Sequence, residues 1–315
     1  MRQTYSYSKR EALESCARRY FYEYYASAKA VPFDGERKAL VRSMKALTNR
    51  HMLAGNILHG LIDLRLRRGA GWAAPWFTQK AVERFDTAVA FSKHPEQFVG
   101  DRRFTPQILS EIAYEEGDAD SLLLQSRTRL VTAMQTFLGN PVIQAVYQPI
   151  TAGEHDIEAK VKDLRLADFS IDGKVDLLGR DNDGIQIVDW KIGEADSFDD
   201  SLQLFIYGLW LGCKYAEPPN RIRSRKVFLT GPTVSQPVVL NDSMMRRGKA
   251  RIVQDIELMQ ELDPYGRQGN EEAFTPCAHP NVCRQCSFRG VCSAGSSTTK
   301  SKLTSVSLPL LQMAS

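Results

Sequence analysis

Apolar positions in the first half of the chain recur every three or four residues, which is the spacing of amphipathic helices. Ser8 and Glu11 match a capping box ahead of the first such run. Residues 31–50 are interpreted as a linker with a basic stretch. This half of the chain is therefore predicted to be mainly helical. Helices are expected at residues 8–27, 51–68, 78–92 and 118–138.

After residue 150 the pattern changes to alternating apolar and polar positions, which is typical of strands. The turn sequence Asp181-Asn182-Asp183-Gly184 separates two such runs and is a strong hairpin signal. A Ser/Thr-rich tail from about residue 294 is expected to be disordered. The second half is predicted to combine a sheet with helices. Strands are expected at 155–161, 172–180, 185–190 and 225–230, and helices at 199–214 and 241–262.

The predicted hairpin brings two carboxylates together. The register set by its turn places Asp176 opposite Asp189, and Lys191 shares their face of the sheet. Two opposed carboxylates among apolar neighbours repel each other, and an unpaired buried charge is costly. A divalent cation would resolve this conflict, with Lys191 beside it to orient or deprotonate a water or to stabilise developing charge. In the alternative, backbone N–H groups and Lys191 satisfy both aspartates without a metal.

Two further polar features accompany the hairpin. Gln203 and Tyr207 are four residues apart in the helix predicted next, so they share one helix face. Such a pair is also common on ordinary amphipathic helices. Glu158 lies on the preceding strand and is interpreted as a solvent-facing residue, with a water-mediated metal contact as the alternative.

In their order and spacing these residues resemble the RecB-like branch of the PD-(D/E)XK nuclease superfamily. That branch also has a Gly-x-x-x-His run on a preceding helix, which Gly55 to His59 matches. The resemblance implies that the histidine and both aspartates bind Mg²⁺ or Mn²⁺ and that the lysine is catalytic. It assigns His59, Asp176 and Asp189 as metal ligands, Lys191, Asp176 and Asp189 as catalytic residues, and Gln203 and Tyr207 as residues that shape the site and contact DNA.

The six cysteines are unevenly distributed along the chain. Cys283, Cys286 and Cys292 have the spacing C-x2-C-x5-C, which lets three thiolates reach one metal or cluster. In a reducing compartment such a group indicates metal or redox chemistry rather than disulfides. The spacing alone does not identify the fourth ligand, and the candidates are Cys277, Cys16 and Cys213.

The iron–sulfur members of the RecB-like group, which include AddB-type nuclease domains and CRISPR-associated iron–sulfur exonucleases, combine this C-terminal spacing with one cysteine on an N-terminal helix. The run that begins at Cys16 resembles their N-terminal signature, with Ala17 in place of a proline. A four-cysteine zinc site is the alternative. The resemblance implies a 4Fe–4S cluster held by Cys16, Cys283, Cys286 and Cys292.

Such a cluster would join two distant parts of the chain. Closing so long a loop would stabilise the fold by about 4–5 kcal/mol if the site acts as a crosslink. Cys277 and Cys213 would then be bystanders. Cys213 is expected in the core because it lies in an apolar helix.

The resemblance implies an α/β fold with a restriction-endonuclease-like core, in which helices flank a mixed central sheet. An N-terminal helical region and a C-terminal iron–sulfur segment would complete it. The regions expected are a helical region over 1–150 that supplies one cluster cysteine and the metal-site histidine, a nuclease core over 151–262, a cluster-binding segment over 263–293 and a disordered tail over 294–315.

The formal net charge of +4 is too small to indicate a nucleic-acid partner by itself. Residues 36–68, however, contain eight Lys or Arg against two Asp or Glu, and 221–226 and 246–251 are also basic. These clusters suit phosphate contacts, or they are solvated faces. The sequence shows no apolar run long enough to span a membrane and no secretory signal, so a cytoplasmic protein without membrane contact is expected.

The activity that the resemblance implies is that of a Mg²⁺- or Mn²⁺-dependent DNA nuclease that hydrolyses phosphodiester bonds. The expected enzyme is an exonuclease on single-stranded DNA in repair, recombination or defence, with a helicase or other protein as a possible partner. One alternative is a structure-specific endonuclease that uses the same site. Another is a non-catalytic DNA-binding subunit of a larger complex.

Overall fold

A computed structural model describes most of the chain, and its residues form two compact units, each built from segments that are distant in sequence. The first unit comprises Met1–Tyr7, Ala54–Glu83 and Gln125–Glu257, and the second comprises Ser8–Leu53, Arg84–Leu124 and Leu258–Ser315. The predicted division into four consecutive regions stays a prediction. The described residues are 3–28, 35–98, 108–193, 201–231, 233–263, 270–277 and 279–296.

Helices account for much of the described chain, and five of the predicted ones are confirmed, α4, α5, α7, α9 and α10 in the list that follows. The α-helices are α1 (Tyr7–Ser15), α2 (Ala17–Phe21), α3 (Gly35–Lys45), α4 (Arg50–Arg68), α5 (Ala74–Lys93), α6 (Ser110–Ala113), α7 (Ala119–Gly139), α8 (Pro141–Thr151), α9 (Ser201–Tyr215), α10 (Asp242–Leu262), α11 (Pro280–Gln285) and α12 (Ser293–Ser296).

The four predicted strands are also present, as β4, β7, β8 and β9 below. The others have two to four residues, too few for an alternating pattern to show. The strands are β1 (Thr4–Ser6), β2 (Leu47–Thr48), β3 (Ile108–Leu109), β4 (His155–Lys160), β5 (Arg165–Leu166), β6 (Phe169–Asp172), β7 (Lys174–Asp181), β8 (Gly184–Lys191), β9 (Ile222–Phe228), β10 (Thr233–Val234) and β11 (Val238–Val239).

The first unit contains a six-stranded mixed sheet in the order β10-β9-β8-β7-β4, with β11 also paired to β9. β8 runs parallel to β9, whereas the other pairs are antiparallel. Residues 184–190 of β8 are all buried, as expected for a central strand covered on both faces. Trp190 contacts Phe137 of α7 and Tyr147 of α8, with ring centroids 5.4 and 6.0 Å away. The sheet and its helices confirm a mixed α/β fold.

A second, three-stranded sheet in the first unit has the order β1-β6-β5, with β1 parallel to β6. Tyr5 on β1 is fully buried, and its hydroxyl donates a 2.8 Å hydrogen bond to Asp255 Oδ2 on α10. A buried Tyr hydroxyl needs such a partner. This hydrogen bond joins positions 250 residues apart and holds the N-terminal strand in the unit.

The second unit is mainly helical, with one short parallel pair formed by β2 and β3. Its core includes an aromatic cluster in which Phe274 lies 5.1 Å from Phe21 and 5.3 Å from Tyr25, measured between ring centroids. Glu111 is also buried and pairs with Arg50 at 3.0 Å. A buried carboxylate requires a partner of this kind.

The helix predicted over 8–27 is interrupted, which the sequence pattern did not indicate. Cys16 separates α1 from α2 and has an extended backbone, with φ −168° and ψ 114°. Backbone hydrogen bonds on both sides, Cys16 N–H to Ala12 and Tyr20 N–H to Cys16, keep the helical periodicity. A π-helical turn, Tyr22–Ala26, ends the segment. Because one extended residue leaves the apolar spacing almost unchanged, periodicity cannot detect this break.

One other expectation about local structure was wrong. Residues 35–45, part of the predicted linker, form α3, in which Val41 and Met44 are buried three residues apart. The predicted end of the helix over 118–138 is confirmed, because α7 ends at Gly139. A further helix that was not predicted, α8, follows, and the Asn140 side chain accepts the N–H groups of Val142 and Ile143 as its N-cap.

The predicted disordered tail lies outside the described residues from residue 297 onward, whereas Ser293–Ser296 form α12. Within the part of the chain that the structure describes, no helix is both long and apolar enough to cross a membrane.

Candidate metal centre

Three carboxylates occupy one row across neighbouring strands of the six-stranded sheet. In the ladder between β4 and β7, the pairs on either side place Glu158 opposite Asp176. In the ladder between β7 and β8, the register continued by one residue places Asp176 opposite Asp189. The hairpin register predicted from the turn is therefore the observed one. Carboxylates that lie opposite one another repel, so this row favours a bound cation.

His59 from α4 faces this row. Its Nδ1 lies 3.2 Å from Asp176 Oδ1. Among the described residues, His59, Glu158 and Asp176 form the one group of three whose ligand atoms all lie within 4.8 Å of one another. The other oxygen of Asp176, Oδ2, accepts the backbone N–H of Trp190 at 2.9 Å. Asp176 is thus held by the neighbouring strand while its first oxygen stays directed at His59.

Asp189 and Lys191 form the second part of the centre. Lys191 Nζ lies 2.7 Å from Asp189 Oδ2, and the lysine side chain is 37% exposed. Burial raises the pKa of Asp189, although the nearby Lys191 ammonium opposes the shift. Burial lowers the pKa of His59, but the Asp176 carboxylate outweighs it and leaves that pKa above the ordinary value. Both shifts show charges crowded in a place of low solvation.

For Glu158 the structure contradicts the solvent-facing interpretation and favours the alternative, a place near the metal centre. Its side chain is 21% exposed, pairs with Lys174 and belongs to the group around His59, so it does not simply face solvent. Its backbone has φ 57°, a left-handed conformation that costs a non-glycine residue about 1–3 kcal/mol inside a strand. The pairing of β4 with β7 was the missing signal, because it alone puts Glu158 beside Asp176.

The donor set fits a divalent cation of the Mg²⁺ or Mn²⁺ type. Carboxylate oxygens are the ligands these hard ions prefer, and one imidazole is compatible with Mn²⁺. Lys191 and Lys174 counter part of the negative charge in the structure. The residues that could hold the ion are His59, Glu158, Asp176 and Asp189.

A sequence model of the PD-(D/E)XK nuclease superfamily matches residues 4–293. The chain belongs to the PD-(D/E)XK nuclease superfamily. No curated protein matches it. Among solved structures it is similar to one described as "Crystal structure of SSO0001", with 16% identity over 59% of this chain and 81% of that chain and a TM-score of 0.32. PD-(D/E)XK proteins are metal-dependent nucleases, which agrees with the acidic row and its histidine.

Gln203 and Tyr207 lie on one face of α9, as predicted, and contact each other. Gln203 Nε2 donates to the Tyr207 hydroxyl at 2.6 Å, and that hydroxyl donates to the carbonyl of Lys174 at 2.5 Å. Tyr207 is buried, and a Cβ added at Gly173 would lie 3.5 Å from its ring. The pair therefore fastens α9 to the start of β7, the strand that carries Asp176.

The second unit gathers five cysteines around one cavity, whereas the resemblance implied four. Cys213, the sixth, is exposed on α9 of the first unit and not in the core as expected. It lies near the end of an apolar helix on the side that faces solvent, and the composition of a helix does not show which side is exposed. The cavity is lined by Cys16, Cys277, Cys283, Cys286 and Cys292.

Burial favours the protonated form of two of the thiols in this cavity. Burial raises the pKa of Cys286 to about 12 and also raises the pKa of Cys283. A bound metal would displace these protons, because thiolates are the ligand form. The donor set is soft and sulfur-only, in contrast to the oxygen-rich centre of the first unit.

The basic clusters predicted from the sequence differ in how far other groups neutralise them. Arg221 pairs with Glu217 at 3.0 Å, and Arg251 pairs with Asp255 at 3.1 Å. At the end of α4, the Arg68 guanidinium lies 4.7 Å from the centroid of the Trp72 ring.

Proposed function

We propose that this PD-(D/E)XK protein is a Mg²⁺- or Mn²⁺-dependent DNA nuclease of the RecB-like branch that degrades single-stranded DNA from an end. The observation that carries the proposal is the row of three carboxylates, with His59 3.2 Å from Asp176 and Lys191 2.7 Å from Asp189. A left-handed Glu158 opposite a buried aspartate is the arrangement expected where a bound cation offsets the cost of both.

Each residue of the centre has a distinct task in this proposal. His59, Glu158, Asp176 and Asp189 hold the cation, and the Trp190 N–H keeps Asp176 in place. A divalent ion bound there supplies Lewis-acid stabilisation of the phosphate and a nucleophilic water at neutral pH. Lys191, one ammonium group beside Asp189, orients that water and stabilises the charge that develops on the phosphate.

A surface formed by Arg65, Arg68, Trp72 and Trp76 supports a single-stranded substrate. The two indole rings lie 4.2 Å apart at 90° and are both partly exposed. Aromatic rings stack on unpaired bases, and arginines bind the phosphates between them. The surface and His59 belong to the same unit, and α4 carries both His59 and the two arginines.

The direct test compares Lys191→Ala with the wild-type protein on end-labelled linear single-stranded DNA in Mn²⁺. We expect a loss of about 10²–10³ in rate, the usual effect of removing one charge-stabilising group. Lys93→Ala, which removes a surface lysine paired with Asp120, is the matched control and should cleave normally. Unchanged cleavage by Lys191→Ala would contradict the assignment.

The substrate separates the remaining alternatives. An exonuclease should leave circular single-stranded DNA intact, whereas a structure-specific endonuclease would cut it. A non-catalytic subunit would bind DNA and cleave neither form. Duplex DNA with blunt ends should be degraded more slowly than single strands, because its bases are not free to stack on Trp72 and Trp76.

We also propose that Cys16, Cys283, Cys286 and Cys292 hold a 4Fe–4S cluster. These four cysteines line one cavity of the second unit, and three of them have the spacing C-x2-C-x5-C. A sulfur-only donor set of this kind suits an iron–sulfur cluster. Iron and sulfide content after anaerobic purification tests it, and a colourless protein that contains zinc would overturn it.

A further inference from the structure

Cys277 is the one thiol of the cavity that the proposed cluster leaves unused. It is exposed, and it lines the same cavity as the four proposed ligands. Its backbone N–H donates to Cys16 Sγ at 3.4 Å. This contact places the backbone of residue 277 directly beside the proposed ligand that lies farthest away in sequence.

The position of Cys277 allows its own sulfur to reach the place of Cys16. Its sulfur is only two bonds from the Cα atom next to that N–H, so rotation about χ1 moves the thiol within the neighbourhood of Cys16 Sγ. The Cys277 side chain also lies within hydrogen-bonding reach of the Cys283 thiol. Cys277 therefore lies beside two of the four proposed ligands.

The sequence gives a second reason. Cys277 precedes Cys283 by six positions, the same separation that joins Cys286 to Cys292. Residues 277–292 thus contain four thiols within a short loop, whereas Cys16 lies 261 residues before Cys277. Closing a short loop costs less conformational entropy than closing a long one. The C-terminal segment carries enough thiols to complete a four-ligand set without Cys16.

We propose that Cys277 is an alternative fourth ligand, which can take the place of Cys16 on the cluster. In the exchange the Cys277 thiol loses its proton and its thiolate binds iron, while the Cys16 thiolate leaves the iron and takes up a proton. No electron is transferred. The inference rests on the proposed iron–sulfur site. It separates two tasks: either cysteine can retain the cluster, whereas only Cys16 crosslinks distant parts of the chain.

The test measures iron and sulfide per chain in five anaerobically purified full-length proteins. Cys16→Ala and Cys277→Ala should each contain at least about half as much iron per chain as the wild type, whereas the iron content of the double variant should be about tenfold lower. Cys213→Ala, which removes the exposed cysteine of α9, is the matched control. If Cys16→Ala contains as little iron as the double variant, Cys277 is a bystander and the inference fails.

A second readout does not depend on the yield of folded Cys16→Ala. Native wild type and Cys16→Ser are treated with a thiol-alkylating reagent and mapped by peptide mass spectrometry. Cys277 should be alkylated in the wild type, where its side chain is exposed, and protected at least about tenfold in Cys16→Ser, where it binds iron. Equal alkylation in both proteins overturns the inference. Wild type without iron would instead overturn the cluster proposal itself.

Discussion

The two units hold sites of opposite construction. In the first unit, neighbouring strands and one helix supply the carboxylates and the imidazole of the proposed metal centre, and the hairpin register alone aligns Asp176 with Asp189. In the second unit, the thiols come from both ends of the sequence, and Cys16 meets Cys277 across 261 residues. The first site depends on local pairing and the second on chain closure. We therefore expect substitutions at the first site to lower the rate of cleavage and substitutions at the second site to lower the stability of the fold.

The largest expected effect is on catalysis in the first unit. Asp189→Asn removes a buried carboxylate whose pKa is raised by burial, and with it the partner of Lys191. Cleavage of single-stranded DNA should fall by about 10³ or more, because both the cation and the ammonium lose their anchor. Thermal unfolding without metal should change little, since the buried negative charge disappears together with its repulsion from Asp176.

The control for this variant is Asp120→Asn, in which an exposed carboxylate paired with Lys93 is replaced in the same way. It should retain both activity and melting temperature. A large drop in melting temperature for Asp189→Asn would show that the first site is part of the fold and would break the contrast between the units.

The second expected effect is on stability in the second unit. Cys286→Ser should abolish iron binding and destabilise the protein by about 4 kcal/mol, the magnitude of a long-loop crosslink. Hydrogen exchange should increase in α2 and α11, which flank the cavity, and stay unchanged in β7 and β8. Cys213→Ser serves as the control, because that thiol is exposed in the other unit. Faster hydrogen exchange confined to the hairpin of β7 and β8 would contradict the assignment of the stabilising role to the cysteine site.

The first site was largely predictable because its geometry follows from a short turn. Asp181 to Gly184 define the hairpin, and the register then aligns Asp176 with Asp189. Glu158 could not be placed in this way. Its alignment depends on the pairing of β4 with β7 and on a left-handed backbone, and neither follows from local spacing.

The second site was less predictable for the opposite reason. The spacing of Cys283, Cys286 and Cys292 indicates three ligands, but loop closure over hundreds of residues leaves no local pattern for the fourth. The break at Cys16 was also invisible, because the flanking helices keep one periodicity. Cys277 enters the cavity through a tertiary contact that sequence separation does not encode.

A smaller effect tests whether the strain at Glu158 serves the metal centre. Glu158→Gly and Glu158→Gln both remove the carboxylate and the pairing with Lys174, so cleavage should fall about tenfold in each. Only glycine adopts φ 57° without strain, so Glu158→Gly should be more stable than Glu158→Gln by about 1 kcal/mol. Denaturant unfolding measures the difference. Equal stability would mean that the backbone stores no strain for function.

The smallest effect concerns charge in the second unit away from the thiols. Burial raises the pKa of Glu271, but the Tyr22 hydroxyl and the guanidinium groups of Arg37 and Arg18 outweigh it, so the net pKa lies below 4.5. Its stabilising contribution, about 1 kcal/mol, is complete above pH 4.5 and is lost as the pH falls through the lowered pKa. Glu271→Gln should therefore be less stable than the wild type at pH 7, with the gap closing in acid. Urea unfolding of both proteins between pH 7 and pH 3 measures this gap. A gap that persists unchanged at pH 3 would mean that Glu271 acts through packing rather than through charge.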